Sequence, residues 1–357
     1  MKKFILKSII IIVIVVSILA GLNYMVDPSN IFHPMLINKI SDSLVEGRNV
    51  EIKGNFDERL MQEKLAQKLN EKPDILVLGS SHVIYIPFEE EGLRNAAVSA
   101  GELWDLYGLT GIYEYYDKLP DTMIIGVDPW IFNDNSGGTM YESINSYVEY
   151  EKNRVNGIQT KSNVSNANKY THLKELISVS YFQDSFKELR SKGIQDKEQI
   201  LSTVDDSKMG ECAKILSNGI RVPAITDIKS SENIEQTAQK IIDSDEIYHS
   251  NNYYELSDEK VEWFEKLICY LQQEKKIHVI LYLPVCYPQP VYDYVKETPQ
   301  HLGVVKAEEY LLEFADKNEI DIYGSYNPSL SEIDFNDFMD ELHVKPESSM
   351  KTFMKRN

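Results

Sequence analysis

The sequence contains few cysteines, and the three it has stand far apart. They are Cys212, Cys269 and Cys286, in a chain of 357 residues. An odd number at wide spacing indicates neither a disulfide framework nor a zinc site. Cys269 lies on the apolar face of a predicted helix and Cys286 follows a strand-like apolar run, which predicts a buried thiol at each position. We therefore expect a fold that does not depend on cross-links.

Basic charge and cofactor-binding motifs are also scarce. Lysine and arginine total 37 against 56 acidic residues, a formal net charge of −19. This balance disfavours a nucleic acid partner, because phosphate binding requires clustered basic side chains. The chain has no Walker loop, no GxGxxG and no CxxC pair. The acidic runs at residues 89–91 and 205–206 lack other metal-ligating residues nearby and predict solvated faces. We expect neither a cofactor nor a metal.

Apolar and aromatic side chains, by contrast, are plentiful. Hydrophobic residues make up 43% of the chain, with 12 Phe, 22 Tyr and 3 Trp. This content is enough to bury a core and excludes a disordered or fibrous chain. At roughly 150 residues per domain, the length suits about two units or one enlarged α/β domain with insertions.

The longest apolar run lies at the N-terminus. Residues 8–22 carry no charge, and residues 9–16 are eight consecutive β-branched aliphatics. Residues 4–26 are long enough, at about 1.5 Å per residue, to cross roughly 30 Å of hydrocarbon. Lys2, Lys3 and Lys7 mark the start of this segment, and Asp27 follows it. The lysines predict that the N-terminus is cytoplasmic and that the rest of the chain lies outside.

A cleaved signal peptide, a retained anchor and a buried core helix are the alternatives for residues 1–27. The apolar run exceeds the roughly 7 to 15 residues of a signal peptide, and the small pair Ala20-Gly21 is preceded by bulky Ile18. Core helices seldom begin a chain with a lysine cluster. We favour a retained anchor, which predicts a single-pass cell-membrane protein with an extracytoplasmic C-terminal domain.

Four short apolar runs farther along the chain predict buried parallel strands. They lie at residues 74–79, 123–127 and 278–283, with a weaker one at 320–323. Helical patterns accompany them at residues 55–69, 260–273 and 305–317. This alternation predicts an α/β fold with a mainly parallel sheet flanked by helices. Ligands of such sheets bind at the carboxyl ends of the strands.

Two segments do not fit this alternation. Residues 28–54 are polar with little periodicity and predict a connector. Residues 133–256 are rich in Ser, Asn, Asp and Tyr. They contain one convincing helical pattern, at residues 171–191, and predict a large insertion over the strand ends. The expected division is an anchor at residues 1–27, a connector at 28–54 and one α/β domain at 55–357.

The sharpest local feature, Gly79-Ser80-Ser81, follows the first predicted strand. A glycine and two hydroxyl residues at this position can turn the chain into a helix and expose one hydroxyl where backbone N–H groups stabilise an oxyanion. Alone, the same residues suit a serine cap at a helix N-terminus. His82 could line such a site, but we favour a solvent-facing histidine at the helix start.

A second feature, Asp340-Glu341-Leu342-His343, follows the last predicted strand. Two residues three apart can share one face of a helical turn. The Asp340 carboxylate could then hold one ring nitrogen of His343 while the other nitrogen faces a serine.

Together these motifs resemble the SGNH, or GDSL-like, hydrolase superfamily. In that family a nucleophilic serine stands third in a Gly-Asp-Ser motif after the first strand, and Asp-x-x-His near the C-terminus completes a triad. Here a serine takes the aspartate position. The resemblance implies a flavodoxin-like, three-layer fold in which Ser81 is the nucleophile, His343 the general base and Asp340 its orienting partner.

Two other segments are compared with the family's conserved blocks. Residues 95–101 look like the second block, which implies that the N–H groups of Gly101 and Ser81 line an oxyanion hole. Residues 126–130 occupy the place of the third block but lack its Gly-x-Asn-Asp. Asn133 is the substitute that we name for the missing asparagine donor.

An anchor, the Gly-Ser-Ser turn, Asp128-Pro129-Trp130 and Asp-x-x-His together look closest to the membrane-anchored DltD-like branch, which includes alginate and peptidoglycan O-acetylation proteins. The resemblance implies a bacterial, extracytoplasmic serine acyltransferase or esterase that acts on O-acyl groups of a cell-envelope glycan or lipid-linked polymer. It also implies an acyl-serine intermediate and a multi-spanning membrane acyltransferase as partner. The alternative is a catalytically inactive, membrane-tethered binding or assembly subunit of an envelope-modification complex.

Overall fold

The computed structural model describes residues 2–52, 54–158, 164, 173–192 and 201–356. Its α-helices are α1 (Lys2–Val26), α2 (Met35–Val45), α3 (Glu58–Lys68), α4 (Ser81–Ile84), α5 (Leu103–Tyr115), α6 (Asn145–Val155), α7 (Val179–Lys192), α8 (Ser231–Ser244), α9 (Asp258–Cys269), α10 (Gln289–Glu297), α11 (Gly303–Lys317) and α12 (Pro346–Thr352). Its strands are β1 (Asn49–Ile52), β2 (Ile75–Leu78), β3 (Leu93–Asn95), β4 (Thr122–Gly126), β5 (Leu201–Val204), β6 (Lys214–Ile215), β7 (Arg221–Val222), β8 (His278–Leu283) and β9 (Asp321–Gly324).

The four predicted apolar runs form neighbouring strands of one parallel sheet. Its order is β3-β2-β4-β8-β9, and each neighbouring pair is parallel. The short edge strand β3 was not predicted. Along β2, Leu76 and Leu78 belong to the large apolar cluster on one face, while Val77 belongs to a smaller cluster on the other. Because both faces are covered, the predicted α/β architecture is confirmed in its coarse form.

The N-terminal run forms a single helix, α1, of 25 residues. Within it, the most apolar window of 18 residues has a mean hydropathy of 2.9 and no residue buried against the rest of the protein, whereas Asn23 and Val26 near its end are buried. At about 1.5 Å per residue, this helix is long and apolar enough to cross a membrane.

Residues 28–54 are part of the folded body, unlike the connector predicted from their polarity. Helix α2 buries Leu36, Ile37, Ile40 and Leu44 in the main core. Strand β1 pairs antiparallel with β5 on one side and β6 on the other. The resulting sheet has the order β5-β1-β6-β7. Its other three strands come from residues 133–256, so this stretch folds together with a segment that precedes the parallel sheet.

The helix predicted at residues 171–191 is interrupted. Residues 171 and 172 lie outside the described residues, and residues 173–175 form a helical turn that ends before Ser178. Helix α7 then begins at Val179. The apolar periodicity of the sequence continues across this break and did not reveal it.

Candidate active site

Strand β2 ends at a sharp turn that brings Ser81 to the carboxyl edge of the parallel sheet. Gly79 adopts a φ of 144°, which disfavours residues with a side chain. A Cβ atom at this position would also lie 2.9 Å from both the Gly126 carbonyl oxygen and Val83 Cγ2. The Ser80 hydroxyl accepts a hydrogen bond from the His82 N–H and caps helix α4. Ser81 is therefore the first residue of a helix, as the Gly-Ser-Ser motif predicted.

The Asp-x-x-His motif forms a bend, not the predicted helical turn. It lies between Phe338 and Val344, which form an isolated antiparallel bridge. Asp340 Oδ1 accepts hydrogen bonds from the backbone N–H groups of Leu342 (2.8 Å) and His343 (2.7 Å). A short polar side chain bonding to the backbone ahead of it favours such a turn over a helix. The predicted proximity of Asp340 and His343 is nevertheless present.

Ser81, His343 and Asp340 form a continuous hydrogen-bonded chain. His343 Nε2 lies 2.8 Å from Ser81 Oγ, although the two residues are 262 positions apart in sequence. On the other side of the ring, His343 Nδ1 lies 3.0 Å from Asp340 Oδ1 and 2.9 Å from Oδ2. A carboxylate at Nδ1 favours the tautomer whose Nε2 lone pair can accept the serine proton.

The Asp340 carboxylate is stabilised in its charged form. Burial raises the pKa of Asp340, but the hydrogen bond and charge of His343 and the two N–H groups outweigh it and lower the pKa to about 2. Asp340 therefore remains ionised at neutral pH, as an orienting partner of His343 requires.

His82 lines the site, and the solvent-facing position favoured from the sequence is wrong. Its side chain is 3% exposed. Its Nδ1 atom lies 3.0 Å from Ser80 Oγ and 3.3 Å from Asp128 Oδ1. Its ring also stacks on that of His343. Asp128 follows strand β4, the parallel neighbour of β2. The position of both residues just after neighbouring predicted strands could have indicated from the sequence that they meet.

Cys286 joins His82 and Asp128 in one cluster at the ends of three adjacent strands. One potential ligand atom from each side chain lies within 4.8 Å of the others. Burial, followed by the nearby Asp128 charge, raises the pKa of the Cys286 thiol. Imidazole, carboxylate and thiolate are ligands that zinc accepts, and this grouping was not predicted from the sequence. The contact between His82 Nδ1 and Asp128 Oδ1 leaves His82 Nε2 and Asp128 Oδ2 buried without a hydrogen-bond partner among the described residues.

Gly101 lies against the turn that carries Ser81. A Cβ atom there would approach the Gly79 carbonyl oxygen to 2.7 Å and the Ser80 Cα to 3.1 Å, so the close packing requires a glycine. The Val98 N–H donates to the same Gly79 oxygen at 3.1 Å. The structure thus places Gly101 beside the start of helix α4, where the oxyanion role was predicted.

The amide of Asn133 is occupied by backbone groups. Its Nδ2 donates to the carbonyl oxygens of His249 (2.8 Å) and Asn251 (3.5 Å). Its Oδ1 accepts from the Asn135 N–H at 3.0 Å. These bonds hold residues 133–135 against the loop at 249–251. Both N–H groups of the Asn133 amide are therefore used, and none is free for the predicted oxyanion role.

In comparisons with known proteins, the chain matches no protein-family model and no curated protein. The roles of the residues above therefore rest on their geometry and chemistry.

Proposed function

We propose that this protein is an extracytoplasmic, membrane-anchored serine acyltransferase or esterase of the SGNH type, acting on O-acyl groups of a cell-envelope glycan. The observation that carries the proposal is the chain of hydrogen bonds from Ser81 Oγ through His343 to Asp340. A hydroxyl, an imidazole and an ionised carboxylate in this order form the hydrogen-bonded set used for nucleophilic acyl transfer.

The arrangement supports a two-step reaction. His343 Nε2 accepts the Ser81 proton while Oγ attacks the carbonyl carbon of an ester or thioester. The N–H groups of Ser81 and Gly101 would stabilise the oxyanion. Protonated His343 then donates to the leaving oxygen or sulfur, and an acyl-serine remains. Water or a glycan hydroxyl next attacks this ester while His343 accepts its proton, the acyl–Oγ bond breaks and His343 returns the proton to Ser81 Oγ. The products are a free acid or an acylated glycan.

Helix α1 supports the envelope location. It has the length and apolarity of a membrane span, and lysines precede its uncharged part. The positive-inside rule then orients the domain toward the outside. A tethered domain reaches membrane-linked and wall polymers, whereas a general esterase gains less from a tether.

A cavity of about 540 Å³ supports a ligand larger than an acyl group alone. Its volume lies within the range of roughly 300 to 1,000 Å³ typical of ligand pockets. Its wall includes Ser29 and Tyr181, near the end of α1. It also includes Ser99, two positions before Gly101. The cavity thus extends from the residues that follow α1 to Ser99, and its lining residues do not include Ser81, Asp340 or His343.

The charges that line this cavity disfavour an anionic ligand such as a phosphate, because four acidic residues line it against three cations. Three of its lining residues are cations, and each forms an ion pair: Arg59 with Asp105, Lys214 with Asp206 and Arg221 with Glu58. Paired cations retain hydrogen-bonding capacity but offer little net attraction for phosphate. A glycan segment fits this chemistry, with the partner acyltransferase as the expected acyl donor.

Covalent labelling tests the proposal against the alternative of an inactive assembly subunit. The full-length protein, purified in detergent, should react with a phosphonate ester probe, and Ser81→Ala should abolish the label. Ser80→Ala removes the adjacent hydroxyl, and this variant should still be labelled by the probe. In cells, Ser81→Ala should lower the ester-linked acyl content of the envelope. Absence of labelling in the unmodified protein would favour the assembly subunit, and unchanged acyl content would contradict the envelope substrate.

A further inference from the structure

A group of exposed apolar side chains lies beside the outer end of α1. Its members are 53% to 62% exposed and are Leu173, Ile177, Val179 and Phe186. We call these residues, with Phe182, the α7 apolar face. The Phe182 and Phe186 rings stack with centroids 6.3 Å apart. Contiguous exposed apolar groups of this kind mark a contact with another apolar phase.

This face is fastened to α1 by buried polar contacts. The Asn23 side chain, fully buried, donates to the carbonyl oxygens of Glu175, Leu176 and Ser178 at 3.0 to 3.1 Å. These bonds satisfy backbone carbonyls at the break before α7. The Tyr181 hydroxyl donates to Asp27 Oδ1 at 2.6 Å. The α7 apolar face therefore holds a fixed position relative to the end of the span.

The position of Asn23 along α1 indicates the depth of the α7 apolar face in the membrane. Roughly 30 Å of hydrocarbon corresponds to about 20 helical residues. Counted back from Val26, such a span begins near Lys7, the last lysine before the uncharged run. Asn23 then lies about one helical turn inside the outer boundary. The backbone it binds is at the level of the acyl-chain and headgroup boundary, where interfacial helices insert by about 5 to 10 Å.

The sequence of α7 is amphipathic in the way that such a position requires. Val179, Phe182, Phe186 and Leu189 follow at intervals of three and four residues and share one side of the helix. Asp184, Lys187 and Glu188 lie on the other side of the helix, and Arg190 borders the stripe. A charged face opposite an apolar stripe suits a helix that lies in the membrane interface.

We propose that residues 173–189 lie in the outer interface of the membrane, with the α7 apolar face in contact with lipid. This second contact fixes the orientation of the catalytic domain instead of leaving it to pivot about the residue after Val26. The cavity wall that includes Ser29, Glu175 and Tyr181 is then held near the lipid headgroups. The inference rests on the anchoring of α1, which belongs to the proposed function.

Depth-dependent quenching tests this proposal. The full-length chain with Cys212→Ser and Cys269→Ser is reconstituted into lipid vesicles of phosphatidylcholine and phosphatidylglycerol, without any other protein. An environment-sensitive fluorophore is attached at Phe186→Cys and, in separate variants, at Ile12→Cys in α1 and Leu330→Cys. Leu330 is a matched control because it is similarly exposed, at 50%, in a turn that bonds to α10. Labelling of Ser81 by the phosphonate probe, compared between the parent and each variant, verifies the fold.

Lipids brominated in their acyl chains should quench the fluorophores at positions 12 and 186 but not the one at 330. Quenching at position 12 with none at 186 would overturn the interfacial inference and leave the anchor intact. Absence of quenching at both positions would overturn the anchor and the inference together. Neither result bears on the nucleophilic role of Ser81, which the probe reports separately.

Discussion

The imidazole ring of His82 stacks on that of His343, with ring centroids 4.9 Å apart and planes 24° from parallel. Only His343 bonds to Ser81. His82 instead pairs with Asp128, and both side chains are 3% exposed. The buried His82–Asp128 pair therefore supports one side of the His343 imidazole.

We expect His82→Ala to destabilise the protein. Its loss leaves the Asp128 carboxylate buried without its imidazole partner, and breaking a buried pair costs about 3 kcal/mol. Chemical denaturation in detergent measures the change. Adding Asp128→Asn should restore part of the lost stability, because it removes the unpaired charge. Equal stability of His82→Ala and the unmodified protein would show that the pair contributes nothing.

Asp340→Asn should lower the rate of the proposed acyl-transfer reaction about 10³- to 10⁴-fold. The amide can hold His343 in the wrong tautomer, with its lone pair at Nδ1 instead of facing Ser81. Hydrolysis of an activated ester or the rate of phosphonate labelling provides the measurement. Glu341→Gln changes the adjacent acid, which pairs with Lys229, and should have little effect. Comparable losses in both variants would contradict the specific role of Asp340.

We also expect the unmodified protein and Asp340→Asn to differ in how their stability changes at acid pH. Its pKa falls from 3.8 to about 2 on folding, so ionised Asp340 stabilises the folded state above pH 4. This contribution is lost as the pH falls from about 4 through 2. Denaturation at a series of pH values should show a weaker dependence in this window for Asp340→Asn. A variant whose curve runs parallel to that of the unmodified protein would exclude the contribution.

Glu151→Gln should raise stability at pH 7 by about 1 kcal/mol, because a buried, unpaired charge is costly. Glu151 is fully buried, and neither of its carboxyl oxygens has a hydrogen-bond partner among the described residues. Burial and then the Glu114 charge raise the pKa of Glu151. The folded state therefore favours the protonated acid and loses stability as the pH rises above about 4.5.

The Glu151→Gln variant should lack this part of the pH dependence, measured by denaturation between pH 4 and 8. Glu149→Gln, on the same helix but with its side chain 58% exposed, serves as control and should change stability little. A loss of stability in Glu151→Gln at pH 7 would count against an uncompensated buried charge.

Met140→Trp should impair the proposed reaction with a glycan while leaving the proposed nucleophile, Ser81, intact. Met140 lines the 540 Å³ cavity and is 55% exposed, so a larger side chain can occupy the cavity without disturbing the core. Envelope acyl content should fall, but phosphonate labelling of Ser81 should persist. Met354→Trp, at another exposed methionine, is the matched control. Full acyl content in Met140→Trp would argue that the cavity does not receive the acceptor.

Much of the parallel sheet could be predicted because its signals are local. Strands β4 and β8 are continuous apolar runs, and their burial on both faces leaves no polar alternation to interpret. Strand β3 escaped prediction because three residues carry no period. The prediction of a connector at residues 28–54 failed for a related reason. Strand β1 is short and partly exposed, and its pairing partners lie some 150 positions away in the sequence.

The candidate site was predictable only where chemistry and sequence position coincided. Ser81, Asp340 and His343 stand next to strand signals, which identified them. The buried position of His82 depends on its contact with Asp128. The burial and orientation of Asp128 are in turn set by the neighbouring strand, which the local sequence around His82 does not show. Asn133 failed because its amide bonds to loop residues more than a hundred positions distant.

The sequence by itself determined the apolar helix, the buried strands and the residue types of the triad, because each follows from side chains adjacent along the chain. Tertiary structure alone decided that His82 lies behind His343, that β1 joins strands from the later stretch, and that α7 lies beside the end of α1. These outcomes depend on packing between distant segments, and distant packing leaves no local periodicity in a single sequence.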